Sequence, residues 1–85
     1  MPVTVRLFAA AREVAGTPEV VVPAGSVAAV CDAVVAAAPA DRRAQLAAVL
    51  EISALLVAGT RYRRSDATKL ADGTIADVLP PFAGG

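Results

Sequence analysis

The sequence predicts an α+β domain. Three observations carry this reading. Residues alternate between apolar and polar near both ends, a central run repeats its apolar positions at helical spacing, and glycine or proline stands at the junctions. Val3, Val5 and Leu7 alternate with Thr4, Arg6 and Phe8, which is the period of a strand with one buried face. Phe8 therefore falls on the face opposite Val5 and Leu7. Ala9 to Ala15 is rich in helix formers and is punctuated by Gly16 and Pro18, so it reads as a helical turn or two. Glu19 to Val22 is short and β-branched, a second strand closed by the Pro23-Ala24-Gly25 turn. The segment joining these two strands is too short for a parallel crossover, so antiparallel pairing is expected.

Ser26 is placed to cap a helix whose apolar positions are Val27, Val30, Cys31, Val34 and Val35, with Asp32 on the other face. Pro39 ends it, because the residue before a proline is pushed out of the α region. Asp41 reads as a second cap, and Leu46, Val49 and Leu50 give a shorter helix its apolar stripe. Leu55 to Val57 then reads as a strand, Gly59 as a turn, and Arg61 to Arg64 as a short exposed strand around Tyr62. Asp72-Gly73 is a turn dipeptide, and Ile75 to Leu79 is the last strand, running directly into Pro80-Pro81. Strands at both ends of a helical middle imply helix packed on one sheet face.

The 85 residues suit a single domain, 1–85, in which 79–85 form an extended tail. Alanine and valine supply 34 of the 85 residues, so the 56% hydrophobic content consists mainly of small side chains. That content, together with zero net charge, excludes intrinsic disorder. Eight basic residues balance eight acidic ones, without the excess that phosphate neutralisation needs, so nucleic acid is not an expected partner. The longest uncharged run, Val20 to Cys31, covers 12 residues and contains Pro23 and Gly25, whereas a membrane-spanning helix needs about 20. Arg6, Arg12 and Glu13 interrupt any signal-peptide core. With one cysteine and no histidine, a zinc site, a Ser-His-Asp triad and a Cys-His dyad all lack their residues. A cytoplasmic domain without a bound metal is the expectation.

The ending Leu79-Pro80-Pro81-Phe82-Ala83-Gly84-Gly85 is the most informative segment. Two prolines stiffen the exit from the sheet, and two glycines finish it. Six residues beyond Leu79 project by about 20 Å at ~3.3 Å each. Apart from Phe82 nothing there can bury much area, so a free arm is expected. At ~7% glycine usage a Gly-Gly end arises by chance roughly once in 200 chains. Its significance comes from following a Pro-Pro spacer on a small domain without other catalytic side chains. An ionised α-carboxyl is a poor electrophile, but adenylation would activate it. A glycine pair can also thread a tunnel where a Cβ would clash.

The stretch VTVRLFAAAREVAG and the ending LADGTIADVLPPFAGG resemble the small subunit of molybdopterin synthase. Phe8, Ala9, Arg12 and Glu13 at one end, and Pro80, Pro81, Gly84 and Gly85 at the other, are the specific parts of the likeness. The resemblance implies a ubiquitin-like β-grasp fold, with a mixed sheet packed on one main helix, and the role of a sulfur carrier. An E1-like adenylyltransferase would use ATP to activate Gly85, and a sulfur donor enzyme would convert it to a thiocarboxylate. The large catalytic subunit would admit the tail so that sulfur passes to cyclic pyranopterin monophosphate. The chain would hold no permanent cofactor and would not be catalytic alone. Two places depart from the family pattern: Ala58 stands where Val-Asn-Gly is usual, and Thr74 and Ala76 follow Asp72-Gly73 where an acidic residue and a valine are common. Related carriers for thiamine or another thio-metabolite share the Gly-Gly end, and so do ubiquitin-like modifiers that join Gly85 to lysines of targets. An interaction domain with an inert tail is the plainest alternative.

Phe8, Arg12, Leu79 and Phe82 are the candidate partner-binding residues. Exposed apolar patches mark interfaces, although packing under a neighbouring loop would also account for Phe8, and a solvated helix end for Arg12 and Glu13. Cys31 is expected to fill the helix–sheet core as a small hydrophobe. Arg61, Arg63 and Arg64 fit either an acidic partner or an edge strand blunted by charge.

Overall fold

The computed structural model describes residues 2–80. In chain order it contains β1 (Val3–Leu7), α1 (Ala9–Ala15), β2 (Glu19–Val22), β3 (Gly25–Ser26) and α2 (Val27–Ala37). A 3-10 turn (Ala40–Arg42) leads to α3 (Arg43–Glu51), followed by β4 (Ala54–Val57), β5 (Thr60–Arg63), β6 (Lys69–Leu70) and β7 (Ile75–Leu79). The five-stranded sheet has the order β2-β1-β7-β4-β5. Its central pair, β1 and β7, is parallel and the other pairs are antiparallel. This is a ubiquitin-like β-grasp: a mixed sheet holding helices against one face.

Register explains the core. Leu7 lies beside Val78, Val78 beside Leu55, and Leu55 beside Tyr62, so one apolar row crosses four strands. A second row joins Val20, Val5 and Ala76. Val27, Val30, Cys31 and Val34 of α2 complete the buried cluster with Leu46 and Leu50 of α3 and Ala11 and Val14 of α1. No polar or charged side chain is buried among the described residues. The expected antiparallel β1–β2 pair is present.

Local chemistry sets the helix ends. The Ser26 hydroxyl accepts the Ala29 N–H at 3.0 Å, the bond expected of an N-cap. Helix α1 stops at Gly16, whose φ of +75° a side chain would resist and whose N–H donates to the Arg12 carbonyl. The Asp41 expectation is corrected: Asp41 sits inside the 3-10 turn, and neither it nor Arg42 caps α3 with a side chain. Pro39 starts that turn, and Arg43 reaches back to the carbonyls of Ala38 (3.1 Å) and Ala36 (2.9 Å), satisfying the exposed end of α2. Gly25, expected in a turn, instead pairs with Leu70 in a two-stranded β3–β6 ladder.

Candidate functional site

The site begins where β7 ends. Leu79 is the last residue of that strand, is half-buried, and pairs with Ala54. Of the expected tail 79–85, Leu79 and Pro80 are described, whereas Pro81, Phe82, Ala83, Gly84 and Gly85 lie outside the described residues. Alternation puts Leu79 and Asp77 on the sheet face away from the helices, with Ala76 and Val78 in the core.

Phe8 comes to the same place. It follows Leu7, which pairs in parallel with Val78, so it stands alongside Leu79. It is 40% exposed, and the backbone turns sharply after it: Phe8 is extended (φ −130°), and Ala9 opens α1 at φ +51°. A positive φ at alanine costs of order 1 kcal/mol and persists only where flanking structure imposes it. Here β1 and α1 impose it, and the result is a phenylalanine held beside the strand exit. Arg12 is exposed one turn further along α1, and its carbonyl accepts the Gly16 N–H.

The structure adds Ile52, which the sequence did not single out, and brings Arg63 to the same end of the sheet. Ile52, two positions before Ala54, is 64% exposed. Arg63 lies opposite Ala54 on β5. Glu51, Ile52, Ser53, Arg63, Arg64 and Ser65 line an open pocket of 380 Å³ next to the Ala54–Leu79 pair. Ile52 did leave a sequence signal: it is a large apolar residue off the Leu46, Val49, Leu50 stripe, and it stands just past the end of α3.

Charge is arranged around this corner. Arg6 donates from Nε (2.5 Å) and an Nη (2.9 Å) to the two oxygens of Asp77, a two-pronged bond across the β1–β7 pair that raises the guanidinium pKa further. Arg64 does not join an exposed basic edge. Its side chain is 17% exposed, bonds Asp32 of α2, contacts Glu51 at 3.7 Å, and donates to the Ala28 carbonyl. It therefore fastens the β5 end to two helices, leaving Arg61 and Arg63 on the open face. Cys31 is 1% exposed, and burial pushes its thiol up to about 11, so it remains a protonated core residue. Among the described residues no cluster of metal-ligating side chains occurs, and no helix is long and apolar enough to cross a membrane.

A mixed sheet gripping a helix, with its central last strand delivering the chain beside an exposed phenylalanine, places this protein in the ubiquitin-like β-grasp superfamily of small carriers and modifiers. No family model and no curated protein matches the chain. Among solved structures it is similar to small archaeal modifier protein 1 of Haloferax volcanii, at 28% identity and a TM-score of 0.73, over 100% of both chains. It is also similar to the Haloferax volcanii HVO 2177 protein (30% identity, TM-score 0.70, 100% of this chain and 87% of that one). The Methanosarcina acetivorans small archaeal modifier protein 1 matches at 28% identity and a TM-score of 0.69, over 98% of this chain and 95% of that one.

Proposed function

We propose that the chain is a ubiquitin-like carrier whose working group is the carboxylate of Gly85. One observation carries the reading: β7, at the centre of the sheet, ends at Leu79 alongside exposed Phe8, so the strand exit and an exposed aromatic share one end of the sheet. An E1-like adenylyltransferase would join the Gly85 carboxylate to AMP, turning a poor electrophile into a reactive acyl group. A sulfur donor enzyme would then supply sulfur: the bond from carbonyl carbon to AMP oxygen breaks, a carbon–sulfur bond forms, and a thiocarboxylate results. In the molybdenum-cofactor branch, the large subunit of molybdopterin synthase receives the tail, and the sulfur goes to cyclic pyranopterin monophosphate. The carrier supplies the reactive atom and the docking face, and its partners supply the catalytic side chains.

A second reading has its own support. The likeness to small archaeal modifier proteins over the whole chain favours a modifier, in which the activated Gly85 acylates a lysine amine. Both readings share the first step and diverge at the nucleophile. Intact-mass measurement of protein isolated from its host decides between them. A gain equal to one oxygen exchanged for sulfur supports the carrier, conjugates with other proteins support the modifier, and an unmodified carboxylate in the presence of ATP and the activating enzyme defeats both. Deleting the gene assigns the pathway, through loss of molybdoenzyme activity or of thiamine prototrophy.

A further inference from the structure

We propose that β2 is a self-pairing edge: two copies of this chain join through it, antiparallel, with Val21 of one opposite Val21 of the other, and their sheets become continuous. β2 and β5 are the two edges of the five-stranded sheet. β5 carries Arg61 and Arg63, and like charges of this kind blunt an edge against its own copy. β2 reads Glu19-Val20-Val21-Val22, so its single charge stands at one end. Val21 is β-branched and 57% exposed.

The ladder with β1 determines which backbone groups β2 turns outward. The Leu7 N–H donates to the Pro18 carbonyl at 2.8 Å, and the register sets Val20 beside Val5 and Val22 beside Val3. Bonded and non-bonded pairs alternate in an antiparallel ladder, so Pro18, Val20 and Val22 face β1. Glu19 and Val21 therefore point their N–H and C=O groups off the sheet. Thr4, opposite Val21, agrees: its N–H donates away from β2, to the Thr74 carbonyl (3.0 Å). Among the described residues neither the N–H nor the carbonyl of Val21 has a partner off the sheet, whereas the Glu19 carbonyl accepts the Thr17 hydroxyl (3.1 Å).

This pattern is complementary to itself about Val21. With Val21 opposite Val21 of the second copy, each N–H meets the other's carbonyl. Glu19 then falls opposite Pro23, the next position of the same parity, and its N–H meets the proline carbonyl. The gaps match too: Pro23 has no N–H to give, and the Glu19 carbonyl it faces is already held by Thr17. A register centred on Glu19 instead would set two carboxylates face to face. A foreign strand with an ordinary run of donors would leave one of them facing an occupied acceptor, so the edge fits a second copy best.

Such a pair is closed by a two-fold axis perpendicular to the sheet. The open faces of the two copies lie on one side, where the row Val21, Thr4, Ile75 of each meets that of the other. Ile75 is 52% exposed, so the joined rows form an apolar band across the seam. The axis reverses strand direction, and the two Leu79 exits leave at opposite ends, both uncovered. A strand of 4 residues buries less than the roughly 1,200 Å² of a standard interface, so the dimer is weak and concentration-dependent.

The test is sedimentation equilibrium of the full-length chain with amide NMR on the same samples, and it needs neither ATP nor an activating enzyme. The average mass should climb from 8.5 kDa towards twice that value as concentration rises to about 1 mM. The largest amide shift changes should fall on Val21 and Glu19. Val21→Pro removes the central outward N–H without touching a bond to β1, so it should stay monomeric with an unfolding midpoint near wild type. Val21→Lys and Val21→Glu should each be monomeric, and an equal mixture of the two should dimerise, because opposite charges then face each other across the seam. This charge pair decides the matter even if Val21→Pro fails to fold. A wild-type chain that stays at 8.5 kDa throughout overturns the proposal, whether or not a foreign strand takes the edge. So does a dimer that survives in both charge variants, or a mixture of them that remains monomeric.

Discussion

The two faces of the five-stranded sheet are built from the same strands and do opposite things. On the helix side, Val3, Val5, Leu7, Leu55, Ala76 and Val78 are all nearly inaccessible. On the open side, the intervening positions carry Arg6 bonded to Asp77, with Val21 and Ile75 exposed near one end and Phe8 beside Leu79 at the other. The contrast separates two demands on one backbone. The covered face fixes register, because a one-residue slip would carry every one of those apolar groups into water. The open face is released from that constraint, and there Phe8 stands 40% exposed beside the strand exit. Stability should therefore reside on one face and recognition on the other.

The sharpest way to break this contrast is a truncation on the covered face. Leu55 is completely buried at the crossing of Val78 and Tyr62. Leu55→Ala should cost about 3–5 kcal/mol, the range for emptied core sites, read as a large drop in denaturation midpoint. Its mirror image is Phe8→Ala. Truncating a central aromatic anchor of an interface costs about 2 kcal/mol, or roughly 30-fold in Kd. The activating enzyme should bind the variant that much more weakly while the unfolding midpoint barely moves. A Phe8→Ala protein that loses stability as severely as Leu55→Ala would erase the distinction between the faces.

Cys31 sharpens the comparison from inside the core. Burial raises its thiol from an ordinary 9.0 to about 11, so the unfolded chain gives up this proton first. The neutral thiol contributes its full stabilisation below pH 9, and that contribution is lost as pH rises towards 11. The loss should reach roughly 1.4 kcal/mol by pH 10, one pKa unit of differential protonation. Chemical denaturation at pH 8 and pH 10 measures it, and Cys31→Val should remove that part of the alkaline decline. An identical alkaline decline in Cys31→Val would assign the loss to other groups.

Most of the covered face was legible in the sequence because it is written in local periods. Val3-Val5-Leu7 has period two, and Val27, Val30, Cys31 and Val34 recur at helical spacing behind a serine cap. What stayed hidden depends on distant partners or on too few residues. The β3–β6 ladder has two residues per strand, too short to display a period. The parallel neighbours β1 and β7 lie at opposite ends of the chain. Arg64 looked like part of an exposed basic strand, since nothing local shows that Asp32 and Glu51 converge on it. For the site, parity placed Phe8 on the open face, but only the β4 register brings Arg63 to the same end of the sheet as Leu79. The Gly84-Gly85 motif was legible as chemistry and lies beyond the described residues.

The smallest expected effect comes from the edge of the open face, at the β4–β5 hairpin. Val57 pairs with Thr60, so the loop has two residues, and both have positive φ: +49° at Ala58 and +84° at Gly59. That is the signature of a type I′ turn, which favours Asn-Gly because asparagine tolerates the left-handed region and alanine does not. The resembled family carries asparagine here, so alanine retains the turn at the cost of backbone strain. Ala58→Asn should stabilise the domain by about 0.5–1 kcal/mol, seen as a rise in unfolding midpoint, with docking unchanged. Ala58 is exposed at a hairpin tip and meets no core residue, so repacking cannot supply the gain. An unchanged midpoint would mean that the β4–β5 ladder, not the loop residue, sets the turn.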